Sequence, residues 1–287
     1  MEHLFQSKNQ TYESWDIIPP LNECDFKPGY HKLFHNDIFY FDNQKNIVNI
    51  KKSPIREKKY IAGILQLNKT YGKEKNKFLY LCIPYNKKIP RFLIPYQKKY
   101  SFDKTEYNLY ITFTFKHWDY EHPYGIIHQN LGDTSISVHY YEYMLYAEEL
   151  HESLKKFQHS LKDKIKKQND LLTEICNYYH ISTKKDDFCF SIDSKTTNDY
   201  DDAFSIQDDI IKIYISGVSI VVDYLNIYTD FTSRPSTIYM PDKKWSMIPA
   251  LLSEDFCSLT EKSCSLCFVM EFKSVSYTHL TLPTNGT

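Results

Sequence analysis

Four aspartates fall within ten residues of the stretch "SIDSKTTNDYDDAFSI" (191–206): Asp193, Asp199, Asp201 and Asp202. Carboxylates packed this tightly repel, and each raises its neighbours' pKa unless a cation compensates. The spacing does not fit an EF-hand, whose sixth and twelfth positions need Gly and Glu; here they hold Asn198 and Phe204. Nor is it a phosphate-cradling loop, because 191–206 contains no glycine. A strand end carrying Asp193, followed by a loop returning with the other three, would assemble an all-oxygen ligand set. Hard oxygen ligands without His or Cys select Mg2+ or Mn2+. Such ions keep positions open for water and phosphate, as phosphodiester hydrolysis requires. The residues alone favour an acidic turn in open water, which needs no ion, over the metal site.

The elements that must position these residues are mostly short strands. With 287 residues and 42% hydrophobic content, the chain has room for two or three small domains. Residues 1–30 show no clear periodicity and read as an N-terminal extension. From 31 onward, segments such as "KLFHNDIFYFD", "YIAGILQLN", "FLYLCIP", "YNLYITFTFKHW" and "SISVHYY" alternate with turn residues. Their length and their Tyr, Phe and Ile content favour small β-barrels, partitioned as two OB-like barrels over 31–78 and 79–140. Leu150, Leu154, Phe157, Leu161 and Ile165 then recur at steps of three and four, predicting a helical connector over 141–180. Strand-like text resumes at 188 with "FCFSID", "AFSI" and "IIKIYISGVSIVV", and "MIPALLSEDFCSL" reads as a Pro-initiated short helix and turn.

Charge is unevenly placed along a chain whose net charge is only −1. Residues 51–100 hold fourteen Lys/Arg against Glu57 and Glu74, whereas 181–260 hold seven Lys/Arg against thirteen Asp/Glu. A basic first half beside an acidic second half suits a polyanion-binding surface next to a metal-binding one, and also two solvated faces that balance. Tyr71, Tyr85, Phe92, Tyr96 and Tyr100 interleave with the basic run that contains Arg91. Barrels of this kind bind single-stranded nucleic acid by stacking bases on aromatics in a basic groove, although strand aromatics more often pack in a core.

Seven cysteines show one CxxC, Cys264 and Cys267, with Cys257 nearby, but no second pair or histidine to complete a zinc site. They read as buried strand thiols. The N-terminus lacks the apolar segment of a signal peptide, and the longest apolar run is too short to span a bilayer, so the expected setting is intracellular, with no membrane partner.

Two motifs, in order, resemble the signature of the RNB family of exoribonucleases. The first is Ile192-Asp193 followed by Asp199-Tyr200-Asp201-Asp202-Ala203. The second is "RPSTIYMPDKKWSMIPALLSEDFCSL" (234–259), which is similar to the family's R-x-x-S/T-x-Y-L-P … P-M-L-P-x-x-L-S-x-x-x-C-S-L. The family places two cold-shock (OB-type) domains before its catalytic domain, and "YITFTFKHW…HPYGIIHQNLGD" looks like the end of the second. The resemblance therefore implies a mixed, β-rich fold: two OB-like cold-shock barrels, a helical connector, and the start of an α+β RNB domain over 181–274.

The same resemblance implies Mg2+-dependent, processive 3′→5′ hydrolysis of single-stranded RNA to nucleoside 5′-monophosphates, with Mn2+ as a substitute ion. Asp193, Asp199, Asp201 and Asp202 would be the metal-binding and catalytic carboxylates, Asp201 the indispensable one. Tyr239 would pack against RNA, and Arg234 would contact phosphate or form a structural ion pair; Arg91 and Tyr96 are the candidate RNA contacts of the barrels. The chain departs from the family at Gly217, where an aspartate is usual. The later glutamate and arginine of the family site fall outside the resemblance, and "SVSYTHLTLPTNGT" breaks its pattern, so 275–287 is expected to be a non-native tail and the chain an inactive part of an active parent. The rival expectation is a non-catalytic RNA-binding module or degenerate homologue.

Overall fold

Alternation of apolar and polar residues between 61 and 133 closes a five-stranded barrel. The computed structural model describes residues 1–21, 26–42, 44–98, 107–168, 170–182, 188–195, 197–230, 234–261 and 264–273. Tyr100 and the 275–287 tail lie outside the described residues. The chain divides into two units, Met1–His151 and Glu152–Thr287.

In the first unit, β1 (Glu2–Ser7), β2 (Trp15–Ile18), β3 (Ile38–Asp42) and β4 (Ile47–Lys52) form an antiparallel sheet in the order β2-β1-β3-β4. The short helix α1 (Pro54–Glu57) leads to β5 (Ile61–Glu74), β6 (Lys77–Pro84), β7 (Phe92–Tyr96), β8 (Leu109–His117) and β9 (Tyr124–Asp133). These close into a barrel in the order β5-β6-β7-β9-β8, with β7 and β9 parallel. Its core holds Leu65, Tyr80, Phe92, Ile94, Ile111 and Phe113. Gly63 is required on its wall: an added Cβ would stand 2.7 Å from Cys82 Sγ and 2.9 Å from Phe113 Cε1.

This arrangement differs from the expected partition. Residues 1–30 are no mere extension, since they supply β1 and β2. Their inward residues in β1 are His3, Phe5 and Ser7, and two polar side chains on the buried face conceal the alternation. The expected boundary at 78/79 falls inside β6, so one barrel spans both predicted domains. "SISVHYY" is not a strand but the start of helix α2 (Ser137–Ala147), which packs Tyr143 and Tyr146 against Tyr110 and Leu131 of the barrel. Tertiary packing overrides the strand propensity of Val138 and the tyrosines.

In the second unit the expected connector is resolved into separate helices. α3 (Lys155–Ile165) and α4 (Leu171–Tyr178) follow a break, and Asp170 caps α4 by accepting from Thr173 N at 3.3 Å. Beyond them, β10 (Asp202–Gln207) and β11 (Ile210–Ser216) form a hairpin, and α5 (Val218–Tyr224) takes up "VSIVVDY", which reads as strand from its valines and isoleucine. A two-residue ladder pairs β12 (Ile238–Tyr239) with β13 (Lys244–Trp245). A π-helical turn, Leu251–Phe256, follows Pro249, and β14 (Cys267–Lys273) adds to β11 to give the order β10-β11-β14. Phe157, Leu161, Ile175, Val221, Val222 and Leu252 join helices and π turn in one core. Of the cysteines, Cys82 and Cys257 are buried as expected, whereas Cys189 and Cys264 are exposed.

Candidate catalytic and metal-binding site

Asp202 opens β10 and pairs with Ile215 of β11. Asp201 precedes it, its carbonyl accepting from Ser216 N at 2.8 Å. The residues before it are held from the far end of the second motif: Tyr200 N donates to Ser258 Oγ at 3.0 Å, and Leu259 N donates to Tyr200 O at 2.9 Å. Ser216 Oγ donates to Cys257 O at 2.8 Å. The two motifs read separately in sequence are thus one hydrogen-bonded unit, with Cys257-Ser258-Leu259 as backbone support for Asp199–Asp202. Asp193 reaches the same place along an irregular segment beyond the Phe190–Phe204 bridge, and not on a strand end.

All four aspartates line one open cavity of about 480 Å³, together with Asn198, Tyr239 and Lys244. Asp199 and Asp201 also face an adjoining cavity of about 300 Å³ that includes Ser216, Thr237, Ser246 and Ser253. Partial removal from water, then repulsion by Asp199 and Asp202, pushes the Asp201 carboxyl above its ordinary range, and Lys244 opposes that rise. Lys244 Nζ lies 3.2 Å from Asp199 Oδ2 and 2.8 Å from Glu254 Oε1. The Glu254 hydrogen bond, offset by desolvation and reinforced by Asp199, holds the ammonium above its usual pKa.

The donor chemistry suits a hard divalent ion: carboxylate oxygens round a cavity with room for water. The carboxylates ring the cavity without converging. Among the described residues, no three His, Cys, Asp or Glu side chains group as a metal-holding cluster.

The other expected site residues separate. Tyr239 is 74% exposed at the rim of the aspartate cavity, directly across the ladder from Lys244. Arg234 is 3% exposed and donates to the backbone carbonyls of Ser246 at 2.6 Å and Glu152 at 2.9 Å. Its guanidinium fastens the second motif to the start of this unit, and the phosphate contact expected of it has no exposed surface to use. Arg91 is exposed and lines a cavity of about 570 Å³ with Tyr12, Trp15, Tyr30 and Trp118. Tyr96, at the other end of β7, rests half-buried on the barrel core beside Tyr80. Phe92 is core, whereas Tyr71 and Tyr85 are exposed. Lys244, Glu254 and Ser258 stand in the second motif, but their roles come from contacts across the fold that no local spacing signals.

Residues 182–279 match the RNB domain family. A stretch of 81 residues is 37% identical to ribonuclease R of Chlamydia pneumoniae and 38% identical to that of Chlamydia trachomatis, covering 26% of this chain and 12% of each relative. The chain thus spans a small part of the curated relatives it matches. Among solved structures, Mycoplasma genitalium RNase R in complex with ribose methylated single-stranded RNA is similar over 95% of this chain and 44% of that one, at 16% identity and a TM-score of 0.60. The same protein in complex with double-stranded RNA covers 81% and 40%, with a TM-score of 0.56. At that identity the likeness establishes the fold. No helix among the described residues is long and apolar enough to cross a membrane. Two joined motifs, their shared cavity and these matches agree: residues 182–279 of this chain match the RNB domain family and are similar to ribonuclease R.

Proposed function

We propose that residues 182–279 are the carboxylate-bearing part of a 3′→5′ exoribonuclease that degrades single-stranded RNA to nucleoside 5′-monophosphates with Mg2+. The observation that carries this reading is the meeting of Asp193, Asp199, Asp201 and Asp202 at one cavity within an RNB match. These carboxylates would hold Mg2+, or Mn2+ in its place, which supplies an activated water and neutralises the leaving 3′-oxygen. The chain's own contributions are specific. Ser258 and Leu259 fix the backbone that carries Asp199 and Asp201, Tyr239 offers an exposed ring for a base, and Lys244 balances charge.

The barrel β5–β9 is assigned here as a cold-shock, OB-type module. The order β5-β6-β7-β9-β8 with five strands supports this, and barrels of that class bind single strands on aromatic and basic surfaces. Lys69 lies 5.1 Å from the Tyr71 ring and Lys73 5.5 Å from the Phe78 ring, both rings exposed. Those pairs also favour the second reading, an RNA-binding module without hydrolysis.

Incubating the chain with single-stranded RNA separates the readings. Mononucleotide release with Mg2+ but not with EDTA, abolished by Asp201→Asn, supports the nuclease. Binding without release, both here and in a polypeptide extended through a whole RNB domain, would leave the binding module.

A further inference from the structure

A lysine on a two-residue strand ordinarily extends into water, because its ammonium is strongly hydrated. Lys244 of this ladder and Lys243 of the turn before it part company. Lys243 lies over the Trp245 ring at 4.1 Å, whereas Lys244 turns to Glu254 and Asp199. Its side chain is 30% exposed and both carboxylates are 25% exposed, so the triad is partly withdrawn from solvent. Glu254 comes from the π turn, Asp199 from the aspartate loop and Lys244 from β13, so one ammonium ties three segments together. It is also a cation on the wall of a cavity with four aspartates.

We infer that Lys244 is a tethered counter-cation of the aspartate cavity, a positioning residue that holds Asp199 against Glu254 and sets a lower affinity for divalent cations. A metal entering the cavity must take Asp199 from the ammonium, and it meets a field already part-neutralised. The inference rests on the proposed metal-binding role of the aspartates. It makes a prediction of unusual sign. Removing Lys244 deepens the negative potential and tightens metal binding, whereas loss of a merely structural strut would loosen the site and weaken it.

The test is Mn2+ titration of the 287-residue chain, read by electron paramagnetic resonance, for wild type, Lys244→Met, Lys244→Arg and Asp201→Asn. Lys244→Met is expected to bind Mn2+ about five- to tenfold more tightly, the order expected for one partly solvated charge a few ångströms away. Lys244→Arg, which keeps the charge, is expected to stay within about twofold of wild type. A second readout needs no variant. Acetylation of Lys244, followed by mass spectrometry, should rise as Mn2+ displaces the ammonium, with the same midpoint as the binding curve. Equal or weaker binding by a folded Lys244→Met, or acetylation indifferent to Mn2+, would overturn the inference. A wild type that binds no Mn2+, or an Asp201→Asn that binds it equally well, would instead overturn the metal-binding reading beneath it.

Discussion

Tyr200 and Ser258, fifty-eight positions apart, share a hydrogen bond of 3.0 Å from backbone nitrogen to Oγ. Ser258 is wholly buried, and Leu259 N closes the contact by donating to Tyr200 O. A loop carrying four like charges would splay in water, because repulsion and chain entropy both favour separation. Here the loop's backbone is fixed by a segment that bears none of its charges. The acidic residues supply the charge of the cavity and the Cys257-Ser258-Leu259 run supplies backbone support.

Ser258→Ala removes the buried acceptor of the half-buried Tyr200 N–H. The expected cost is about 1–3 kcal/mol, the range for leaving a buried polar group unsatisfied. Urea denaturation followed by tryptophan fluorescence measures it, since Trp245 lies in the same unit. Cysteine at 258 retains only a weak acceptor and should recover little of the loss.

Asp201 predicts a pH dependence of opposite sign to that of a salt-bridged carboxylate. Its folded pKa is raised, first by desolvation and then by Asp199 and Asp202. The folded state therefore holds its proton more tightly than the unfolded one. The stabilisation this gives is present below the ordinary carboxylate value and disappears as pH rises through the folded value. Without divalent cations, Asp201→Asn should melt above wild type at pH 7, and the gap should narrow below pH 4. Thermal melts in EDTA decide it, and a variant that melts lower at pH 7 would refute the assigned repulsion.

How much of this could be read from the chain follows the range of the interactions. The aspartate spacing and the second motif are local patterns, so the family match and the lining of one cavity by the four aspartates were foreseeable. The Lys244–Asp199 pair joins residues 45 positions apart through a ladder of two residues, too short to leave a periodic signature. For Arg234 the motif resemblance leaves a phosphate contact or a structural ion pair open; it is buried and donates to two backbone carbonyls, contacts that depend on residues 152 and 246 arriving together. Strand propensity favours the opposite assignment at α2, through Val138 and its tyrosines, and at α5, through its valines and isoleucine; both are helical because their buried residues, Tyr143 and Tyr146 in one and Val221 and Val222 in the other, complete apolar clusters with distant segments.

In the first unit, Asp37 is buried and collects Phe34 N at 2.8 Å, Ser53 Oγ at 2.5 Å and Arg56 Nη1 at 2.7 Å. Arg56→Met would leave that carboxylate without its only ion-pair partner among the described residues. The expected loss is about 3–5 kcal/mol, as for breaking one side of a buried pair. Asp37→Asn in the Arg56→Met background should recover part of it, because the remaining buried group is then neutral. A double-mutant cycle by chemical denaturation measures the coupling.

The last prediction concerns the sheet β10-β11-β14. Its register places Phe204, Ile206, Ile211, Ile213, Ile215, Phe268, Met270 and Phe272 on one face, since directly paired residues share a side. Ile206 and Met270 are each 60% exposed, and β10 and β14 are its outer strands. A continuous apolar face flanked by strand edges promotes association. The chain should bind anilinonaphthalene sulfonate and self-associate with rising concentration, while protease cuts the Glu152–Thr287 unit before the barrel. Met270→Lys with Phe268→Lys places two charges on the outer strand β14 of that face and should reduce both dye binding and association without altering the circular dichroism of the barrel. Equal protease resistance of the two units, or dye binding unaffected by the lysines, would show that this face is covered in solution.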